Sequence, residues 1–146
     1  MLRLSKLADY AVVVLVRLSQ EEGCQTSPCL AGLTGLPEPT VAKVLKALTV
    51  SGLVRSQRGA RGGYLLARPL DAIAVADVVT AIDGPIALAA CVEGGAGGCL
   101  SEALCPVRGR WDPVNQAVMR ALSQMTLAEM TNTQARPHTR AAVPAE

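Results

Sequence analysis

Three cysteines, Cys91, Cys99 and Cys105, stand in the run CVEGGAGGCLSEALC, with seven and then five residues between them and glycines at 94, 95, 97 and 98. Thiolates serve as nucleophiles, redox centres or soft metal ligands, and the compartment narrows the choice. The chain has five cysteines, an odd number that no complete set of intramolecular disulfides can satisfy. Its first residues, MLRLSKLADYAVVVLVRLSQ, are broken by Lys6, Asp9 and Arg17, and the uninterrupted apolar run from Ala11 to Val16 falls far short of the ~18 residues of a spanning helix. The sequence therefore predicts a cytoplasmic protein with no membrane partner, whose thiols meet a reducing solvent.

In that setting the cysteines can bind metal, carry out redox chemistry or simply pack. A structural zinc site takes closely spaced pairs and a fourth Cys or His, whereas these gaps are wide and the one histidine, His138, stands in the tail. Iron–sulfur clusters are held by thiolates at more varied spacings, and the glycines would let the backbone wrap a cluster and turn N–H groups toward its sulfides. Burial as small hydrophobes fits less well, because few large apolar residues surround these thiols. The loop is thus expected to hold an iron–sulfur cluster, 2Fe-2S or 4Fe-4S, through three thiolates and to be short of one ligand. Cys24 and Cys29 flank the start of a helix, and packing is the expectation for both.

The elements that must position this loop are legible as patterns. Leu4, Leu7, Ala8, Ala11, Leu15 and Leu18 recur at helical spacing and predict a first helix of about five turns. Ser27-Pro28 predicts a capped helix start, with Gly35 ending that short helix. Pro39 opens another, with Val41, Val44, Leu45 and Leu48 as its inward stripe, Gly52 as its end, and Thr40, Lys43 and Lys46 facing outward. Two helices joined by a short glycine-containing turn form a helix-turn-helix. LVRSQRGARGGYLLA then reads as two strands around a glycine-rich tip that carries Arg58 and Arg61. Val75, Val78, Val79 and Ile82 predict a further helix stopped at Gly84-Pro85, and Asp112-Pro113 a capped start for one with Val114, Ala117, Val118, Ala121, Leu122 and Met125 along one side. Thr126 and Glu129 form a capping box for a last turn.

The predicted fold is mostly α, a winged helix-turn-helix with a two-stranded wing and a C-terminal dimerisation helix. Residues 1–84 form the DNA-binding domain, 85–111 the cysteine loop, 112–131 the dimerisation helix and short terminal helix, and 132–146, small, polar and proline-containing, a disordered tail. The Val114 to Met125 stripe, lying outside a module that has its own core, predicts a homodimer interface.

Charge distribution points to the partner. The chain carries +2 overall, but Met1 to Arg68 carries +5, and six basic residues with no acidic one lie between Lys43 and Arg68. Those residues fall on the second helix of the pair and on the hairpin, the elements that meet the major groove and the flanking backbone. Thr40, Lys43, Lys46, Arg58 and Arg61 are therefore the candidate DNA contacts. With one Trp, two Tyr and no Phe, base stacking on single strands or RNA is disfavoured, and double-stranded promoter DNA is the expected partner. No Ser/His or Cys/His constellation can be assembled from the ordered part of the chain, so neither an enzyme nor a small-molecule substrate is expected.

Taken together, LRLSKLADYAVVVL, GLPEPTVAKVLKAL, RGARGGYLLARP, VADVVTAIDGPI and the three cysteines resemble the iron–sulfur transcriptional regulators typified by IscR and NsrR, with the nearest likeness to the regulators of the SUF iron–sulfur assembly system. The resemblance runs to about Met130. It implies a homodimeric repressor of iron–sulfur assembly genes that senses its cluster through Cys91, Cys99 and Cys105. Some relatives take a histidine three residues after the last cysteine as fourth ligand; here that residue is Arg108, which stays protonated and cannot ligate. Others take an aspartate from the first helix of the opposite subunit, and Asp9 stands at the matching place, where pairing with Lys6 or Arg17 is its alternative role. A nitric oxide or redox-sensing repressor of the same fold and a small electron carrier are the rival readings, the wing arguing against the carrier.

Overall fold

The first helix, α1 (Lys6–Gln20), buries Ala8, Ala11, Val14, Leu15 and Leu18, with Leu7, Tyr10 and Val12 half-buried against the same core. Residues 3–131 are described by the structure, a computed structural model; the proposed tail and His138 lie outside them. Ser5 caps α1 by accepting from the Ala8 N–H at 3.0 Å, and its hydroxyl donates to Asp83 at 2.8 Å, joining the start of α1 to the end of a later helix. The Val12 to Val14 run, which alone would favour a strand, is overridden because helical spacing places Val14 with Ala11, Leu15 and Leu18 in one buried face.

Helices α2 (Ser27–Thr34) and α3 (Glu38–Val50) follow, with Gly35 in the left-handed conformation between them at φ 73°. Thr26, not Ser27, caps α2, accepting from the Cys29 N–H at 3.3 Å. The predicted cap is thus displaced by one residue, because a capping oxygen must reach the amide three positions on. On α3 the predicted inward stripe is fully enclosed: Val41, Val44, Leu45 and Leu48 are all 0% exposed.

Strands β1 (Val54–Gln57) and β2 (Gly63–Leu66) pair antiparallel in the register Val54 to Leu66 and Gln57 to Gly63. The hairpin is tied back to the first helices by Gln25 and Tyr64, which exchange two backbone hydrogen bonds of 2.7 and 2.9 Å. Gly63 makes this approach possible: its φ is +153°, and a Cβ there would lie 2.7 Å from the Gln25 carbonyl oxygen.

Helix α4 (Val75–Asp83) packs against α1 and α3 through Val75, Val78 and Val79. After the cysteine loop, α5 (Asp112–Gln124) packs on α4, and α6 (Leu127–Thr131) returns to the core. Asp112 lies inside α5 and makes no cap, the preceding Trp111 standing at the cap position without a side-chain bond. The Thr126–Glu129 capping box forms as predicted. The Thr126 N–H donates to the Glu129 carboxylate at 2.7 Å, and the Glu129 N–H to the Thr126 hydroxyl at 3.3 Å. The Thr126 backbone N–H, and then its hydroxyl, hold the Glu129 carboxyl below the usual carboxylate range, so the cap persists at neutral pH and is lost as acid brings the pH down through that lowered value. Leu127, fully buried, joins the same apolar core as α1, α3 and α4, and its N–H donates to the Ile73 carbonyl at 2.9 Å.

Gly63→Ala is expected to lower stability by about 1–3 kcal/mol through strained backbone and the Gln25 clash, read as a fall in the urea midpoint without a change in slope.

Candidate functional site

On α3 the buried stripe dictates what is left outside. Lys43 and Lys46 are exposed and Thr40 half-buried, on the side away from α1. The wing carries Arg55, Arg58 and Arg61, all exposed, around a tip closed by a Gly62 N–H to Gly59 C=O bond of 2.9 Å. Among the described residues none of Lys43, Lys46, Arg58 and Arg61 is in an ion pair, so their charges are available to an external anion. Arg68 differs from them, standing 3.7 Å from Asp77 of α4.

Between the start of α2 and the wing lies a cleft of about 450 Å³ whose lining includes Thr26, Ser27, Gln57, Arg58 and Gly62. The Ser27 hydroxyl there is buried and has no hydrogen-bond partner among the described residues. Its side chain, freed from the capping role that Thr26 takes, was the residue that pattern reading assigned to the wrong task. The only sequence signal was the adjacent pair of hydroxyl residues before Pro28.

The cysteine loop leaves α4 at Gly84, φ 83°, and is anchored by Val92, 5% exposed. Cys91 and Cys105 are half-buried, Cys99 is exposed, and none of the five cysteines is in a disulfide. A short 3₁₀ turn, Glu102–Leu104, separates Cys99 from Cys105. Gly94, Gly97 and Gly98 all have positive φ, so the chain bends where side chains with a Cβ would resist. Arg108 donates to Glu102 at 3.1 Å and so braces the last part of the loop. Among the described residues no three Cys, His, Asp or Glu side chains are close enough together to hold a metal ion. The loop therefore supplies the donors in one segment but does not hold them as a finished cage. The donor set itself fits an iron–sulfur cluster: three unpaired thiols reachable from solvent, on a backbone that glycine leaves pliable.

Asp9 is exposed on α1, and Arg17, one of its two alternative partners, pairs instead with Glu21 at 3.9 Å. The packing expected of Cys24 and Cys29 is not what the fold provides. Cys29 is exposed and its thiol donates to Gln25 at 3.2 Å, while the half-buried Cys24 thiol donates to Gln57 at 3.3 Å. The reason is register: the enclosed position on α2 belongs to the next residue, Leu30, at 0% exposure. On α5, Val114 is 46% exposed, Ala117 and Ala121 are exposed, and Val118 and Leu122 are half-buried, while Met125, just past its end, is 47% exposed. The apolar stripe of that helix is thus largely uncovered within one chain.

Residues 4–133 match the Rrf2 family, described as iron-dependent transcriptional regulators. The chain is 33% identical over 135 residues to the HTH-type transcriptional regulator IscR of Erwinia tasmaniensis, an alignment covering 91% of this chain and 81% of that protein. Among solved structures it resembles T. potens IscR, with TM-score 0.63 and 30% identity over 88% of this chain and 85% of that one. It also resembles CymR, the global cysteine regulator of B. subtilis, with TM-score 0.69 and 28% identity over 89% of this chain and 96% of that one.

If Lys43 meets base edges, Lys43→Ala should cut binding to the preferred operator far more than to random duplex. Loss of one wing arginine that meets only phosphate should weaken all sequences alike and lower the salt slope by about one unit. Titration of labelled duplexes at several salt concentrations separates the two.

Proposed function

As a member of the Rrf2 family, this chain is a DNA-binding transcriptional regulator, and we propose that it represses iron–sulfur assembly genes according to the state of a cluster bound in its cysteine loop. The observation that carries the reading is the pairing, in one small fold, of a basic reading surface with a glycine-bent segment bearing three free thiols. Two copies join through the uncovered stripe of α5, which sets the spacing of their α3 helices to two half-sites on the duplex. In each copy Thr40, Lys43 and Lys46 enter the major groove, while Arg58 and Arg61 hold the backbone or reach the minor groove. A phosphate in the cleft beside the wing would meet Arg58, the unpartnered Ser27 hydroxyl and the positive end of α2.

Cys91, Cys99 and Cys105 would hold the cluster as thiolates, with Asp9 of the partner subunit as the fourth ligand. When bound, the cluster supplies a centre whose oxidation or loss changes how many ligand bonds tie the loop down. The chain's own residues do the rest: the glycines let the three thiols converge, and Arg108 with Glu102 steadies the segment around Cys105. A carboxylate is a harder and weaker donor to iron than a thiolate, so an Asp9 corner is the replaceable one. Because Asp9 stands on α1, against which α3 packs, a bond from Asp9 to the other subunit's loop would bias the tilt of the reading helix.

Two outcomes test this reading. Protein purified without oxygen should be coloured and contain iron and sulfide, and Cys91→Ala, Cys99→Ala or Cys105→Ala should each remove the colour while Cys24→Ala and Cys29→Ala retain it. Stoichiometric zinc without iron would sink the assignment. Secondly, Asp9→Ala should fold and dimerise but bind operator with nearly equal affinity loaded or cluster-free, erasing a wild-type difference of about 1–3 kcal/mol. Paired operator titrations on wild type and variant read that difference directly.

A further inference from the structure

Asn115 is the one polar residue buried as a whole among the described residues, 7% exposed, on a helix whose other side chains are half-buried or exposed. Its carboxamide is engaged at both ends. The Leu88 N–H donates to its Oδ1 at 2.9 Å, and its Nδ2 donates to the Ile86 carbonyl at 3.1 Å. Those two residues lie in a stretch between α4 and the 3₁₀ turn that has no helix or strand to satisfy its backbone, so a side chain performs the service that a neighbouring strand would otherwise give. They precede Cys91 by only five and three residues. Asn115 and Cys91 also share the lining of the cleft, about 1000 Å³, between the loop and α5. A helix that needed only to pack on α4 would place an aliphatic residue at its single enclosed position.

We propose that Asn115 is the positioning residue of the cysteine loop: its amide sets where the chain departs from the winged-helix core before Cys91 and links the loop's state to α5. The inference rests on the cluster reading above and adds the residue by which that segment is held. It also gives the loop and the apolar stripe of α5 a common point of attachment. Ordering or release of the loop then bears on the helix expected to join the subunits, through two hydrogen bonds at its first turns. Outer hydrogen bonds of this kind orient metal-binding groups without touching the metal.

The test compares wild type with Asn115→Leu, which removes both bonds at similar volume, and Asn115→Asp, which keeps the acceptor and loses the donor. In cluster-free protein, exchange of the Leu88 amide should accelerate about tenfold in Asn115→Leu, the scale of one buried hydrogen bond, and less in Asn115→Asp. The amides of Val44 and Leu45 in α3 should keep wild-type protection, showing that the core is intact. In protein loaded anaerobically with iron and sulfide, both variants should show an altered visible circular dichroism spectrum. Their cluster lifetimes in air should be shortened about 10–100-fold, as for other outer-shell losses. Wild-type Leu88 exchange in Asn115→Leu would overturn the proposal, as would a wild-type spectrum and lifetime in both variants. Should Asn115→Leu fail to fold, the spectrum and lifetime of Asn115→Asp decide. Failure of wild type itself to take up iron and sulfide would overturn the cluster reading and this proposal with it, whereas loading of all three proteins with the wild-type spectrum and lifetime in both variants overturns this proposal alone.

Discussion

Everything outward on this protein depends on the one-sided burial of α3. Val41, Val44, Leu45 and Leu48 are completely enclosed, and each contributes about 1.5–3 kcal/mol relative to exposure. That apolar seam fixes the rotation of the helix about its own axis. Once it is fixed, Lys43 and Lys46 have no choice but to face solvent, and among the described residues neither is in an ion pair. On the proposed reading these are the charges that meet duplex DNA, and their arrangement is a by-product of core packing rather than of any contact among the charged groups.

The wing depends on a different constraint, the close approach of two backbones. Gln25 and Tyr64 exchange hydrogen bonds across a gap that only a glycine at position 63 permits. This bridge fixes the hairpin beside the first turn of α2, so the exposed arginines at its tip project from a braced strand pair. The same approach creates the cleft in which the Ser27 hydroxyl is enclosed without a partner among the described residues. Such an oxygen costs stability when dry, which is the physical reason to regard that cleft as a place where an outside group completes the bonding.

The cysteine loop obeys neither constraint. Apart from Val92 it contributes little to the apolar core, and Leu100 and Leu104 stand almost wholly in solvent. What holds it is polar: the local Arg108 to Glu102 bond, and the Asn115 amide reaching its root from α5. A segment held by few bonds gathers its ligands when a metal centre binds, and binding free energy then orders the chain. On the proposed cluster reading that coupling would suit a sensor, because removal of the cluster would release the segment.

The amino-acid sequence by itself determined the helix-turn-helix, the wing and the inward stripes of α3 and α4, because side-chain periodicity and glycine or proline placement act over a few residues and need no distant partner. The basic face was legible for the same reason: a helix whose apolar residues recur at 3.6 must put its lysines opposite. Local reading failed where two hydroxyls compete for one cap, at Thr26 and Ser27, and where one residue of register exposes Cys29 and buries Leu30. It gave no sign that Leu127, beyond the loop, belongs to the same core as Leu15 and Val78, or that Asn115 closes on Ile86 and Leu88 from across the chain. Those contacts join residues far apart in sequence, and an asparagine on a polar-looking helix face carries no mark of burial until the fold brings two unpaired backbone groups to it.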